Sequence, residues 1–291
     1  MDNMRGIALM VAAMAAFALE DMFVKSAAAT LPVGQILAML GAGGAVIFGL
    51  MALARGQRLW SRALLTRPVL LRNLGEVLGT LGFVFAIALT PLSTASAILQ
   101  ATPLVVTLGA ALFLGAQVGW RRWLAILVGL GGVLLIIRPG MEGFQPASLF
   151  AVLAVFGLAL RDLATRATPR TVSSLQLSTY GFAMLVPLGV VVMALERGPV
   201  ALDGPLAGLM AGALVLGVAG YYAIVEAMRV GEVAVVTPFR YTRLVFALGI
   251  GVVVFGERPD AATLWGAAII IASGLYTLWR ERALSKARGR R

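Results

Sequence analysis

Apolar residues run along this chain in stretches of about twenty, the length a helix needs to cross a hydrocarbon core, and charge, proline or glycine interrupts them at short intervals. The apolar segments fall at 6–28, 33–54, 69–89, 92–115, 119–137, 147–166, 173–195, 205–228, 233–255 and 261–279. That core is about 30 Å thick and a helix rises about 1.5 Å per residue, so the pattern predicts ten transmembrane helices and leaves little chain for a soluble domain. Pro32, Pro68, Pro91, Pro146 and Pro205 stand at or near span starts, where a missing N–H costs least. Pro103, Pro187 and Pro238 fall within spans and predict kinks.

Composition agrees with the pattern. Hydrophobic residues make up 60% of the 291 and charged residues 13%, against about 25% charged in a soluble domain, and the mean hydropathy is +0.94. The chain reads as an all-α integral membrane protein. A signal-peptide reading of Arg5 and the apolar run after it would release a product that is itself membrane-embedded, so that run counts as the first span. The net charge of +11 does not point to nucleic acid, because most of the arginines sit in short segments between apolar runs and in the tail RERALSKARGRR. With no cysteine and no histidine, disulfides, thiol chemistry and the commonest metal sites are excluded, and carboxylates are left as the proton carriers near neutral pH. No cofactor or metal is expected.

The distribution of Lys and Arg orients the spans. Segments on the side of the N-terminus hold seventeen of them: Arg5, five between Arg55 and Arg72, Arg121, Arg122, Arg166, Arg170, Arg229 and six in the tail. The opposite segments hold Arg138, Arg197 and Arg258. The positive-inside rule then puts both termini in the cytoplasm.

The stretch ALEDMFVKSA (18–27) is echoed by ALRDLATRAT (159–168), 141 residues on, so that Asp21 falls on Asp162 and Lys25 on Arg166. The same offset lays FGE (255–257) on LGA (114–116), Thr242 on Ala101 and Gly220 on Gly79. Span one thus maps on span six and span four on span nine. Because five is odd, two five-helix halves must run through the membrane with opposite polarity, an inverted repeat. Expected domains are 1–140 for the first repeat, 141–280 for the second, and a basic cytoplasmic tail over 281–291.

With these features the sequence resembles the drug/metabolite transporter superfamily, and specifically its ten-helix exporters built from two EamA-type repeats. The resemblance covers the whole chain. It rests on the ten spans, the five-plus-five duplication, the glycine–glutamate turn Gly256–Glu257 ending the fourth helix of the second repeat, Pro103 within span four, and the glycine-rich fifth span with Gly129, Gly131 and Gly132. The first repeat departs from the pattern with Gly115–Ala116, so the glutamate is missing there. The resemblance implies a central cavity lined mainly by spans 1, 3, 4, 6, 8 and 9, a multi-pass protein of the bacterial inner membrane, and export of amino acids, drugs or other metabolites. Import of nucleotide sugars is also known in the superfamily.

A charge at mid-bilayer costs about 2.5 to 3.5 kcal/mol on insertion scales, so each embedded one needs a partner, water or a task. Glu20, Asp21, Lys25, Glu76, Arg161, Asp162, Arg240 and Arg243 are such residues, four acidic and four basic. Asp21 with Lys25 and Asp162 with Arg166 are i, i+4 with the acid first, a spacing that lets the two side chains meet on one helix face. Two readings fit: structural pairs whose basic members snorkel, or symmetry-related latches that open in alternation, with Glu20 and Arg161 at equivalent places of opposite sign. Span three carries Asn73, Glu76, Thr80 and Phe83 as one stripe, and Glu76 shares a layer with Arg240 and Arg243 of span nine. One of those arginines is expected to pair with Glu76 and to turn to a substrate carboxylate. Gln100 of span four and Tyr241 of span nine complete the candidate binding set. Gly75 and Gly79, flanking Glu76, read as helix packing, as do the hydroxyls of span four.

An intramembrane enzyme would need a motif such as HExxH or GxSxG, and an ATP-driven pump a GxxxxGK[ST] loop; the sequence holds neither. The expected function is therefore secondary transport of small metabolites, amino acids first, by alternating access. The expected partners are the lipid bilayer and a small-molecule substrate, with the protein a monomer.

Overall fold

The computed structural model describes residues 2–116, 118–169 and 171–288. Arg170 and the end of the tail expected over 281–291 lie outside them. All ten spans are helical. They are built from α1 (Asn3–Ala28), α2 (Val33–Ala54), α3 (Arg67–Leu89), α4 (Leu92–Leu99) with α5 (Thr102–Phe113), α6 (Trp120–Ile137), α7 (Ser148–Arg166), α8 (Ser174–Leu195), α9 (Gly204–Val230), α10 (Val233–Val236) with α11 (Thr242–Phe255), and α12 (Ala261–Arg288). Each span is long and apolar enough to cross a membrane.

Two of the three interior prolines do more than kink. Pro103 stands in the first turn of α5 and Pro238 in the first turn of a 3₁₀ segment, Thr237–Tyr241, so spans four and nine are discontinuous. The breaks, after Leu99 and before Thr242, match under the 141-residue offset. Pro187 stays inside α8.

The two halves interlock rather than sit side by side. The main helix pairs are α2 with α8, α3 with α7, α1 with α9, and α6 with α12, each joining one repeat to the other. Glycines let the paired backbones touch, which is how helices gain contact in lipid. A Cβ at Gly75 would come within 2.5 Å of the Arg161 backbone nitrogen, and one at Gly157 within 2.3 Å of the Gly79 nitrogen. Gly34 and Gly189 do the same for α2 and α8. The packing reading of Gly75 and Gly79 holds.

We call the end of the bundle where α1 begins the near face and the opposite end the far face. At the far face one continuous apolar core joins residues of nearly every span, among them Leu31, Ile36, Ile87, Leu92, Ile136, Ala154 and Met210. Toward the near face the core splits into three separate clusters: Met10, Met14 and Val236; Leu64, Val69 and Leu177; and Phe48, Ala52 and Leu175. The apolar core is continuous at one end of the bundle and divided at the other.

Candidate functional site

The second break is where charge gathers. Arg240 lies in the 3₁₀ segment and Arg243 one turn on, at the start of α11. Arg243 donates from Nη2 to both oxygens of Asp21 (2.9 and 2.8 Å) and from Nε to Oδ2 (3.2 Å). Its guanidinium carbon lies 5.4 Å from the ring of Phe17 and 5.2 Å from that of Phe83, two cation–π contacts. This fork geometry is one that lysine does not offer.

A second cluster forms between α3 and α7. Glu76 is gripped by Arg72 at 2.8 Å and by Arg161 at 3.3 Å, and Arg161 also binds its neighbour Asp162 at 2.9 Å. Arg72 donates further to the carbonyl of Leu177 (2.7 Å) and to Asn73 Oδ1 (3.2 Å). Two acids and two bases neutralise one another, which burial in the membrane demands.

Two charged groups stand outside this bookkeeping. Arg240 is half-buried and has no carboxylate within ion-pair distance among the described residues; Asp162, Arg161 and Arg243 are its charged neighbours. It therefore lies between the two clusters. Glu20, also half-buried, has no cation within ion-pair distance among them. Its carboxylate faces Gly217 of α9, where a Cβ would fall 2.7 Å from Oε1. Under the 141-residue offset Glu20 corresponds to Arg161 and Gly217 to Glu76. The α3–α7 contact thus carries an ion pair, while the equivalent α9–α1 contact carries a lone carboxylate opposite a glycine.

Several pairings differ from those the spacing suggests. Asp21 pairs with Arg243 and not with Lys25, because α11 packs against α1 and presents a bidentate partner. Lys25 instead donates to the carbonyls of Ile87 (2.9 Å) and Thr90 (2.6 Å), which end α3, and approaches Glu257 at 3.8 Å. Glu257 accepts from the backbone N–H groups of Leu92 (2.5 Å) and Ser93 (2.9 Å), capping α4. A lysine on helix carbonyls and a glutamate on helix amides tie the ends of α1, α3, α4 and α11 together at the far face. The other expected pair is absent: Asp162 takes Arg161, and Arg166 is exposed without a carboxylate partner among the described residues. Glu76 meets neither Arg240 nor Arg243, since the arginine one turn before it and the one across α7 fill both its oxygens. Tyr241 turns away to α12, where its hydroxyl fills the space left by Gly274, so it is a packing residue. Asn73 is buried as a partner of Arg72, whereas Thr80 (half-buried) and Gln100 (buried, at the break of span four) make no side-chain hydrogen bond to the described residues.

Sequence reasoning missed Arg72, whose i, i+4 spacing to Glu76 was the available signal. It also left Glu257 as a turn residue; nothing local announces that its carboxylate caps a helix 165 residues away.

The profile of the EamA-like transporter family matches residues 4–138 and 145–279, two matches that begin 141 residues apart. A pseudopaline exporter of Pseudomonas aeruginosa is 30% identical over 277 residues, 92% of this chain and 94% of that one. An S-adenosylmethionine uptake transporter of Rickettsia bellii is 28% identical over 224 residues (75% and 74%), and a riboflavin transporter of Vibrio cholerae 30% identical over 220 (73% and 72%). A protein of known crystal structure superposes with a TM-score of 0.61 at 21% identity, covering 93% of this chain and 98% of its own; it shares the fold.

Proposed function

Because this chain belongs to the EamA-like transporter family of the drug/metabolite transporter superfamily, we propose that it exports small zwitterionic metabolites, amino acids first, by alternating access. Membership makes it a transporter of small metabolites and not an enzyme. The observation that carries the substrate class is the pair of unmatched charges flanking the Asp21–Arg243 bond. A zwitterion brings both missing partners: its carboxylate to Arg240 and its ammonium to Glu20, which packs on Gly217. One of the relatives is named for S-adenosylmethionine, itself an amino-acid derivative, and the relative that aligns along nearly the whole chain is named an exporter. The paired helices of the two repeats come from a single chain, so a monomer suffices for this reading.

Counterflow in liposomes tests this reading with leucine, with the amine lacking its carboxylate, and with the acid lacking its amino group. Losing one charge-assisted hydrogen bond is worth about 1.5 to 3 kcal/mol, roughly 10- to 100-fold. Arg240→Gln is expected to slow leucine exchange by that factor and leave the amine unchanged, and Glu20→Gln to slow both leucine and the amine. Equal rates for leucine in wild type and Arg240→Gln would place the carboxylate site elsewhere.

The same reading takes the near face as cytoplasmic, from the seventeen-to-three bias of Lys and Arg. In this cysteine-free chain, Ser61→Cys is expected to be shielded from an impermeant thiol reagent added outside intact cells, and Arg197→Cys to react. Labelling at position 61 from outside would reverse the assignment. With the near face inside, the end of the bundle where the core divides faces the cytoplasm.

A further inference from the structure

The helices α6 and α12 pack chiefly on each other, and between their near-face ends lies a groove of about 430 Å³. Ala125, Val128 and Ala272 give it apolar walls, and Trp120, Arg121 and Tyr276 line it toward the end of the bundle. No carboxylate lines it among the described residues. Arg121 is exposed, with its guanidinium carbon 5.4 Å from the ring of Trp120, and it has no carboxylate within ion-pair distance among the described residues. A second arginine stands at the same level. Gly129 lies against Ser273 and Gly132 against Ile270, so the two helices run antiparallel in a fixed register. Seven residues on from Ser273, and seven back from Gly129, that register sets Arg280 level with position 122, next to Arg121. Arg280 follows Tyr276 by four residues and so shares the face of α12 that lines the groove. It is half-buried and likewise has no carboxylate partner among the described residues.

Two guanidiniums without carboxylates at the head of an apolar slot ask for an occupant that is anionic at one end and hydrocarbon at the other. The outer positions of α6 beside the slot, Leu124, Leu127 and Val128, are 54%, 61% and 49% exposed, which is where acyl chains lie in a bilayer. Trp120 on α6 and the pair Tyr276 and Trp279 on α12, with ring centroids 5.9 Å apart, supply the aromatic belt that marks headgroup level. Basic pockets between transmembrane helices are places where anionic lipid headgroups bind. We propose that this groove holds one anionic phospholipid of the near leaflet, its headgroup at Arg121 and Arg280 and the start of an acyl chain along Ala125, Val128 and Ala272. A zwitterionic phospholipid also carries a phosphate, but its cationic group would stand against the same two arginines, so the site selects net negative charge. The site is separate from the charged layer and does not depend on what that layer carries.

Native mass spectrometry of the protein in detergent tests it, with phosphatidylglycerol and phosphatidylcholine of matched chains. One phosphatidylglycerol is expected to stay bound at concentrations where phosphatidylcholine does not. Arg121→Gln and Arg280→Gln are each expected to weaken its binding about fivefold. Arg58→Gln removes an exposed arginine of the same face outside the groove and is expected to leave binding unchanged. Ala272→Phe fills the slot while keeping both arginines, and it is expected to lower the bound lipid as well. Position 272 is exposed, so the larger apolar side chain meets no packed neighbour that it must displace, and this variant reads the slot apart from the charges. Excess glycerol phosphate, which has the headgroup's phosphate and no chains, is expected not to displace the lipid. Equal retention of the two lipids, an equal loss in Arg58→Gln, full retention in Ala272→Phe, or displacement by glycerol phosphate would each overturn the assignment.

Discussion

Asp21→Asn is expected to destabilise the protein by about 3 to 5 kcal/mol, because it strands a guanidinium that is 20% exposed among α1, α3 and α11. The aspartate is 4% exposed and supplies both carboxylate oxygens to Arg243, so no water stands ready to replace it. The measurement is the midpoint of thermal unfolding in detergent, followed by fluorescence and by the monodisperse fraction. Asp21→Asn with Arg243→Gln should recover most of the loss, since a neutral pair leaves no unmatched charge, yet transport should stay low in both. A single variant as stable as wild type would mean that Arg243 turns to Glu20, one residue away. Leucine counterflow would then fall with the Glu20→Gln variant alone.

Glu257→Gln is expected to release the far end of the bundle. The substitution removes the charge that faces Lys25 and weakens two charge-assisted bonds to the amides of α4. About 2 kcal/mol lost from the closed state is roughly a thirtyfold change in the ratio of closed to open. Spin labels at positions 29 and 254, near the far ends of α1 and α11, should report longer and broader distances in Glu257→Gln than in wild type. Lys25→Met should do the same, because Lys25 ties α1 to the last carbonyls of α3. Unchanged distance distributions in both variants would show that apolar packing alone holds the far face shut.

The ten spans and their pairing into halves are legible in the sequence because the bilayer imposes them directly. Each crossing needs about twenty apolar residues, and a duplicated chain keeps a constant offset. The list of charged residues inside the membrane is legible for the same reason: any exception to apolarity stands out. Their partners are not. Asp21 has Lys25 four residues away and Arg243 more than two hundred away, and only the packing of α11 on α1 decides for the second. Glu76 illustrates the complementary failure. Arg72, four residues before it, counts as a topogenic charge by position and turns out to be buried. Tyr241 and Gln100 occupy equivalent places at the two breaks, but one fills the hollow at Gly274 and the other does not, a difference that resides in α12 and not in either residue.

Ala116 at the place equivalent to Glu257 has a kinetic consequence. Glu257 ties the far face together and has no equivalent at position 116, so the empty carrier is expected to rest with its site toward the near face. A solute arriving there meets a ready site, whereas a solute arriving at the far face finds its apparent affinity reduced by the small fraction of molecules that are open to it. The half-saturation concentrations on the two faces should therefore differ by about the closing constant of the far face. Asymmetry of this kind cannot pump. If no ion is coupled, the ratio of maximal rate to half-saturation must be the same in both directions, so a lower half-saturation on the near face comes with a proportionally lower maximal rate from that side. Net export then follows the solute's own gradient, and the far-face contacts set only the concentration at which each direction saturates.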